Sequence, residues 1–213
     1  MSKKFLFSSL ISLLGLTAPA IFNIQFILTF KFAISIIIFA FAIYLQPKFK
    51  VAPDRTNLWD HGTEAQIIWS AYIIQFLAIV EAAYFRYPDS TRWNFLHSII
   101  FFLMAAGLAI RTWAIFSLGR FFTMHLTVQR EQFIVRSGPY KYVRHPSYSG
   151  AFLIYVFFPL FIGAWATFCL ALFLLPAAWI RRIYHEEKML KEELGEPYEN
   201  YCRQVKKIIP WIW

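Results

Sequence analysis

Residues 147–180 read SYSGAFLIYVFFPLFIGAWATFCLALFLLPAAWI, 34 residues without one charged side chain. As a single helix this run would measure about 51 Å, far beyond the ~30 Å hydrocarbon core of a bilayer. Two arms of about 16 residues, turning at Gly163-Ala164-Trp165, would each reach about 24 Å, slightly short of that core. A hairpin of two short tilted helices fits best, with Pro159 and Pro176 bending or ending them.

The surrounding chain asks for the same solvent. Of 213 residues, 59% are apolar, 24 are Phe and only 15% are charged, against about 25% charged in soluble domains. So much apolar surface cannot all be hidden in a core of this size, so lipid must cover part of it. Four further spans are expected at about 4–21, 25–45, 65–85 and 94–117. The chain therefore reads as an all-α integral membrane protein with about six transmembrane helices, or five if the first is cleaved. Lys3 and Lys4, the apolar run Phe5 to Leu16 and Ala18-Pro19-Ala20 have signal-peptide grammar. Retention is the reading adopted, because a second apolar run follows at once and the pair makes a hairpin. Lys31 falls near the outer end of its span, where its stem can snorkel.

The net charge of +9 would suggest nucleic acid in a soluble protein. Here it follows topology, and no nucleic-acid partner is expected. With six spans, eighteen of the 21 Lys and Arg residues fall on one side, leaving Lys31, Arg86 and Arg92 on the other. The positive-inside rule then puts both termini in the cytoplasm, of an inner membrane in a bacterium or an ER-like membrane in a eukaryote. Trp59, Trp93, Trp113, Trp165, Trp179, Trp211 and Trp213 fall near expected interfaces, as in an aromatic belt. Cys169 and Cys202 should lie in different environments, and no disulfide or zinc site follows from them. Residues 1–118 read as the helical anchor. Residues 119–213 read as a catalytic region of cytoplasmic loop, hairpin and C-terminal cytoplasmic helices.

Two polar clusters flank the hairpin. The first is Ser137 to Gly150, SGPYKYVRHPSYSG. Ser137-Gly138-Pro139 is a turn signal. Pro146 keeps His145 out of helical angles and suits a first helical position, so His145 should cap the fifth span. The N–H groups of that first turn suit an anion, and Arg144 adds a full charge. Ser147, Ser149, Gly150 and Ala151 are small enough to admit a helix or a ligand. The simpler alternative is a basic turn facing lipid headgroups. The second cluster is Arg181 to Glu193, read as a continuation of the sixth helix stopped by Gly195 and Pro197. Ile183, Glu187, Leu190 and Leu194 fall within about 60° of one another on a helical wheel. Glu187 thus sits in an apolar stripe, where an acid needs a partner. A Glu187–Lys191 surface pair would leave the stripe unexplained, and Arg182–Glu186 could be a structural pair. His125 and Arg111 are weaker candidates.

GPYKYVRHPSYSG, a hydrophobic hairpin, Glu186-Glu187-x-x-Leu190, then Gly195-x-x-Tyr198-x-x-Tyr201-x-x-x-Val205 and Ile209-Pro210 resemble the isoprenylcysteine carboxyl methyltransferase family. Related phospholipid methyltransferases carry a similar end. The resemblance covers roughly residues 120–210. It implies S-adenosyl-L-methionine as methyl donor, bound at the cytoplasmic surface. By position it implies His125, Tyr140, Arg144, His145, Pro146, Tyr148, Glu187 and Tyr198 as donor-binding residues. Arg182 and Glu186 would be catalytic, with Arg182 facing the substrate. No metal is implied. The expected acceptor is a lipophilic or lipidated molecule reached from the bilayer, above all the carboxylate of an isoprenylcysteine-like substrate. A carboxylate is ionised near neutral pH and needs no base, so the protein must position two partners and exclude water. Membrane sterol and steroid reductases share a similar carboxyl-terminal pattern and use NADPH, which leaves an alternative. A non-catalytic membrane assembly factor is a third reading. Nothing in the sequence names the acceptor or the oligomeric state.

Overall fold

The computed structural model describes residues 3–46 and 57–209. Trp211, Trp213 and Pro210, like the loop cations Lys48, Lys50 and Arg55, lie outside the described residues. Helices account for all regular structure among the described residues, apart from one isolated parallel bridge between Val143 and Lys206.

The first expected span is α1, Lys3–Thr17, prolonged by a tight turn at Ala18–Ala20 and packed against the second span. That second span is not continuous, as the run 25–45 suggested. It divides into α2, Ile24–Ile27, and α3, Phe30–Tyr44. The cause is local. The Asn23 side chain accepts from Phe26 N at 3.0 Å and the Thr29 hydroxyl from Phe32 N at 3.4 Å. Two N-caps six residues apart start two helices. Lys31 does not snorkel. It is buried, and its Nζ donates to the Ser90 carbonyl at 2.9 Å. Ser90 also packs under Gly163 in the hairpin turn, where an added Cβ would stand 3.1 Å from Ser90 Cα. The lysine thus secures the loop around Ser90 that seats the hairpin.

A short helix α4, Asn57–Asp60, precedes α5, Thr63–Val80, which continues in a wider turn over Glu81–Phe85. Helix α6 is Phe95–Leu118. The charge-free run does form a hairpin. Its arms are α7, Pro146–Phe161, and α8, Trp165–Leu194, joined through Gly163 at φ 82°. Neither Pro159 nor Pro176 ends its helix. The Glu81 carboxylate caps α8, accepting from Ala166 N at 3.1 Å, Thr167 N at 2.8 Å and the Thr167 hydroxyl at 2.7 Å. At 30 residues α8 measures about 45 Å, so its charged part from Arg181 onward projects beyond a ~30 Å core. Gly195 at φ 62° then turns the chain into α9, Glu196–Gln204.

Thr63–Phe85, Phe95–Phe121 and Trp165–Leu194 are long and apolar enough to cross a membrane. Leu10–Ala20, Phe30–Tyr44 and Pro146–Phe161 are apolar but shorter. A core of Phe26, Phe32, Phe39, Phe158 and Phe161 joins them, with Phe39 and Phe158 edge to face at 4.8 Å. Trp179, expected in the aromatic belt, is buried against Phe152 and Leu175 instead, whereas Trp93, Trp113 and Trp165 are exposed.

Helices α6 and α7 meet most closely, at Gly107 and Gly150. A Cβ on Gly150 would stand 2.5 Å from the Gly107 carbonyl oxygen and 2.8 Å from Arg111 N. Both obstacles are backbone, so the helices would have to part. Small residues commonly permit such approach between membrane helices. Gly150→Ala is expected to cost about 1–3 kcal/mol through overpacking, read as a lower midpoint in detergent unfolding. An unchanged midpoint would show that α6 and α7 can slide apart freely.

Candidate active site

The loop after α6 returns onto that helix because Gly138, at φ 61°, leaves room for it; a Cβ there would lie 2.6 Å from Ser117 Oγ. A short turn, Gly138–Lys141, leads into extended backbone that pairs with the chain's last described segment. Arg144 N donates to Lys206 O at 2.8 Å, His145 N to Lys207 O at 2.9 Å, and Ser149 Oγ to Ile208 O at 2.9 Å. His145 then caps α7 with Pro146 in its first turn, as the sequence suggests.

Glu187 on α8 is buried behind this segment. Its Oε1 accepts from Arg144 Nε at 2.8 Å and Nη2 at 2.6 Å, and lies 3.2 Å from His145 Nε2. Lys207 Nζ stands 3.5 Å from Oε2. Arg144 Nη1 donates to the carbonyls of Cys202 and Val205. One guanidinium thus ties the loop, α8 and the C-terminal segment together. Burial alone would raise the Glu187 carboxyl, but hydrogen bonds and positive charge from His145 and Arg144 outweigh it and bring it down to about 2. Burial pushes the Tyr140 and Tyr201 hydroxyls up, and the Tyr201 hydroxyl donates to Tyr140 O at 2.6 Å.

In front of this clasp lies a cavity of about 210 Å³ between the loop, α5, α6, α7, α8 and α9. Of the residues expected at the site, Tyr140, Arg144, His145, Tyr148, Arg182, Glu186, Tyr198 and His125 line it. Pro146 and Glu187 are not among the lining residues. Arg182 makes no direct hydrogen bond or ion pair with Glu186, although the Glu186 carboxylate and the Tyr148 hydroxyl both act on it. Its Nη1 donates to Asp60 Oδ1 and to Thr63 Oγ1, the latter at 3.0 Å, and its Nη2 to the Met124 carbonyl. Glu186 instead accepts from the Tyr148 hydroxyl at 3.0 Å. His125 Nδ1 lies 2.7 Å from Glu64 Oε2.

Arg111 projects into the same cavity from α6. Its Nη1 donates to Ser147 O at 3.0 Å and Ser147 Oγ at 2.8 Å, its Nε is buried without a hydrogen bond, and among the described residues it has no carboxylate partner. In the sequence Arg111 is a weak candidate, and Asp60 and Glu64 do not stand out. An acid at the start of a helix ordinarily serves the helix dipole, so neither drew notice. The spacing Asp60-x-x-Thr63 was the available signal, because Thr63 Oγ1 and Glu64 N both donate to Asp60 Oδ1.

Residues 98–192 match the model of the isoprenylcysteine carboxyl methyltransferase family. The chain is 31% identical over 118 residues to protein-S-isoprenylcysteine O-methyltransferase B of Arabidopsis thaliana, covering 52% of this chain and 57% of that one. It is 43% identical over 75 residues to methanethiol S-methyltransferase of Crocosphaera subtropica, 34% of this chain and 28% of that one. Among solved structures it is similar to the eukaryotic intramembrane Ras methyltransferase, isoprenylcysteine carboxyl methyltransferase. The TM-score is 0.59 at 22% identity, over 97% of this chain and 74% of that one. The chain thus spans little more than half the length of the plant relative. The family resemblance read from GPYKYVRHPSYSG is borne out, and the helical fold is similar to that of the solved structure. The reductase alternative gains no support from these relatives.

Proposed function

We propose that this chain, which matches the isoprenylcysteine carboxyl methyltransferase family over residues 98–192, methylates the carboxylate of a lipophilic, isoprenylcysteine-like acceptor at the membrane surface. S-Adenosyl-L-methionine, when bound, supplies an electrophilic methyl group on a sulfonium. The observation that carries the reading is Arg111. A buried guanidinium on the cavity wall with no carboxylate partner of its own among the described residues calls for an anion, and two N–H donors in a fixed fork suit a carboxylate.

The lining residues fit the donor. Glu186 keeps about a quarter of its side chain exposed, 26%, and is placed to pair with an ammonium group. The rings of Tyr140, Tyr148 and Tyr198 offer faces to a cationic sulfonium. In the first turn of α7 the Tyr148 and Ser149 amides donate to the His145 carbonyl, which leaves Ser147 N and the His145 ring to meet a carboxylate. Pro146 and Glu187 act from behind by fixing that turn, and Glu187 holds Arg144 in place on the cavity wall. Arg182, engaged by Asp60, Thr63 and Met124, shapes the acceptor wall, and the anion-holding role expected of it passes to Arg111. The acceptor chain enters from the bilayer past α5, where Ile67 and Ile68 line the cavity, and both termini face the cytoplasm.

The test is transfer of labelled methyl from S-adenosyl-L-methionine by the purified chain in nanodiscs. Base-labile methyl ester on a farnesylated cysteine analogue is the expected product. Label confined to membrane phospholipid would overturn the carboxylate acceptor, and NADPH binding without donor binding would overturn the reading as a whole.

A further inference from the structure

The Gly163 end of α7, far from His145, holds a buried cation that the proposed reaction does not use. Lys31 stands in the first turn of α3 and is 2% exposed. The Ser90 carbonyl accepts one of its N–H groups at 2.9 Å, and an ammonium has three to place. Among the described residues no carboxylate pairs with it. The acids of the adjoining segment are committed elsewhere. Glu81 caps α8 and stands 3.5 Å from Arg86 Nε, and Asp89 lies 3.0 Å from Arg92 Nη1. The Lys31 charge acts instead on the ring of His97, in the first turn of α6. His97 is 9% exposed, and its Nδ1 is buried without a hydrogen-bond partner. A cation without a counter-charge and a ring nitrogen without a partner thus share one corner of the fold.

The backbone there carries the same sign. Thr29 and Asn94 cap α3 and α6 through neutral side chains, and neither helix has an acid in its first turn. Each helix start carries about half a positive charge. We propose that Lys31 and His97 form a binding site for a small monovalent inorganic anion, chloride being the abundant one, held between Nζ and an Nδ1–H. A neutral imidazole with its hydrogen on Nδ1 is a donor there, so the ring need not be protonated. Burial this deep excludes a lipid headgroup, whereas a bare ion can pass beneath the exposed residues Arg86 to Asp89. Once bound, the ion holds the ammonium against Ser90 and, through Ser90, steadies the hairpin turn at Gly163.

Unfolding of the full chain in nanodiscs tests this, followed at constant ionic strength as sodium chloride replaces sodium gluconate, whose anion is too large for the site. The wild-type midpoint should rise saturably, by about 5–10 °C once chloride stands a hundredfold above its dissociation constant. Lys31→Met and His97→Phe should each lose that rise. In gluconate Lys31→Met should be at least as stable as wild type, because it removes an unpaired buried charge. Arg111→Ala, which alters the other guanidinium that calls for an anion, should keep the rise. Equal wild-type midpoints in the two salts, a rise that persists in Lys31→Met, or a rise lost in Arg111→Ala overturns the inference. Where a variant does not fold, the chlorine NMR line reads the wild type directly. It should broaden with the protein and sharpen again on addition of bromide; a line as narrow as with empty nanodiscs overturns the inference too.

Discussion

Removing the Glu187 carboxylate is expected to cost roughly 3–5 kcal/mol, the usual penalty for breaking a buried ion pair from one side. Glu187→Ala strands Arg144, which would keep only the Cys202 and Val205 carbonyls as partners. Arg144→Ala should cost as much or more, because it strands a carboxylate and releases the C-terminal segment at once. Replacing both, as Arg144→Met with Glu187→Leu, should recover much of the loss, since the isolated penalties do not add. Unfolding in mixed micelles would measure the four corners of this cycle. The same carboxyl sets an acid limit. Its folded pKa of about 2 lies below its ordinary 4.5, so its stabilisation is complete above pH 4.5. It fades as pH falls toward 2, by about 3 kcal/mol in all. Wild type should therefore lose stability across that window, and Glu187→Gln should be flatter there. Single variants within 1 kcal/mol of wild type would mean that the clasp is solvated and contributes little.

The clasp also shows how far the chain could be read before its structure was known. Glu187 was legible because a charge in an apolar helical stripe has few explanations, and its need for a partner was correctly inferred. The identity of that partner was not legible. Arg144 lies 43 residues away, and only the hairpin, whose length and turn were legible, folds it back. The wheel of α8 failed for Arg182, since Glu186 one turn on is the obvious mate by spacing. Tertiary structure supplied Asp60, which lies 122 residues away. The interruption at Thr29 shows the opposite error, in which hydrophobic continuity over 25–45 hid two N-caps that local side-chain chemistry had already written. Lys31 and Trp179 erred for one reason: amphipathic residues near a span's end were assigned to the interface, and the packed helices claimed both for the interior.

Arg111→Ala is expected to separate catalysis from stability. Most buried guanidinium groups stabilise a fold through a carboxylate, as Arg144 and Arg182 do here. Among the described residues the Arg111 guanidinium hydrogen-bonds to Ser147 alone, so the fold bears its desolvation cost with little return. Its loss should leave the unfolding midpoint unchanged or raise it, as for other charges kept for function at a cost in stability. Transfer to the cysteine acid should fall by about a hundred- to a thousand-fold, the scale on which a positioned electrostatic partner acts. Arg111→Lys retains charge but not the planar fork, and should fall between. Donor affinity in calorimetry should change far less than kcat/KM if Arg111 holds the acceptor; a parallel loss of both would instead make it a donor ligand. Arg182→Ala provides the contrast. It leaves Asp60 partly buried beside a lost partner, so stability and activity should decline together. If Arg182→Ala alone lost activity while Arg111→Ala kept it, the anion would belong to Arg182 after all, with Asp60 displaced when the acceptor binds.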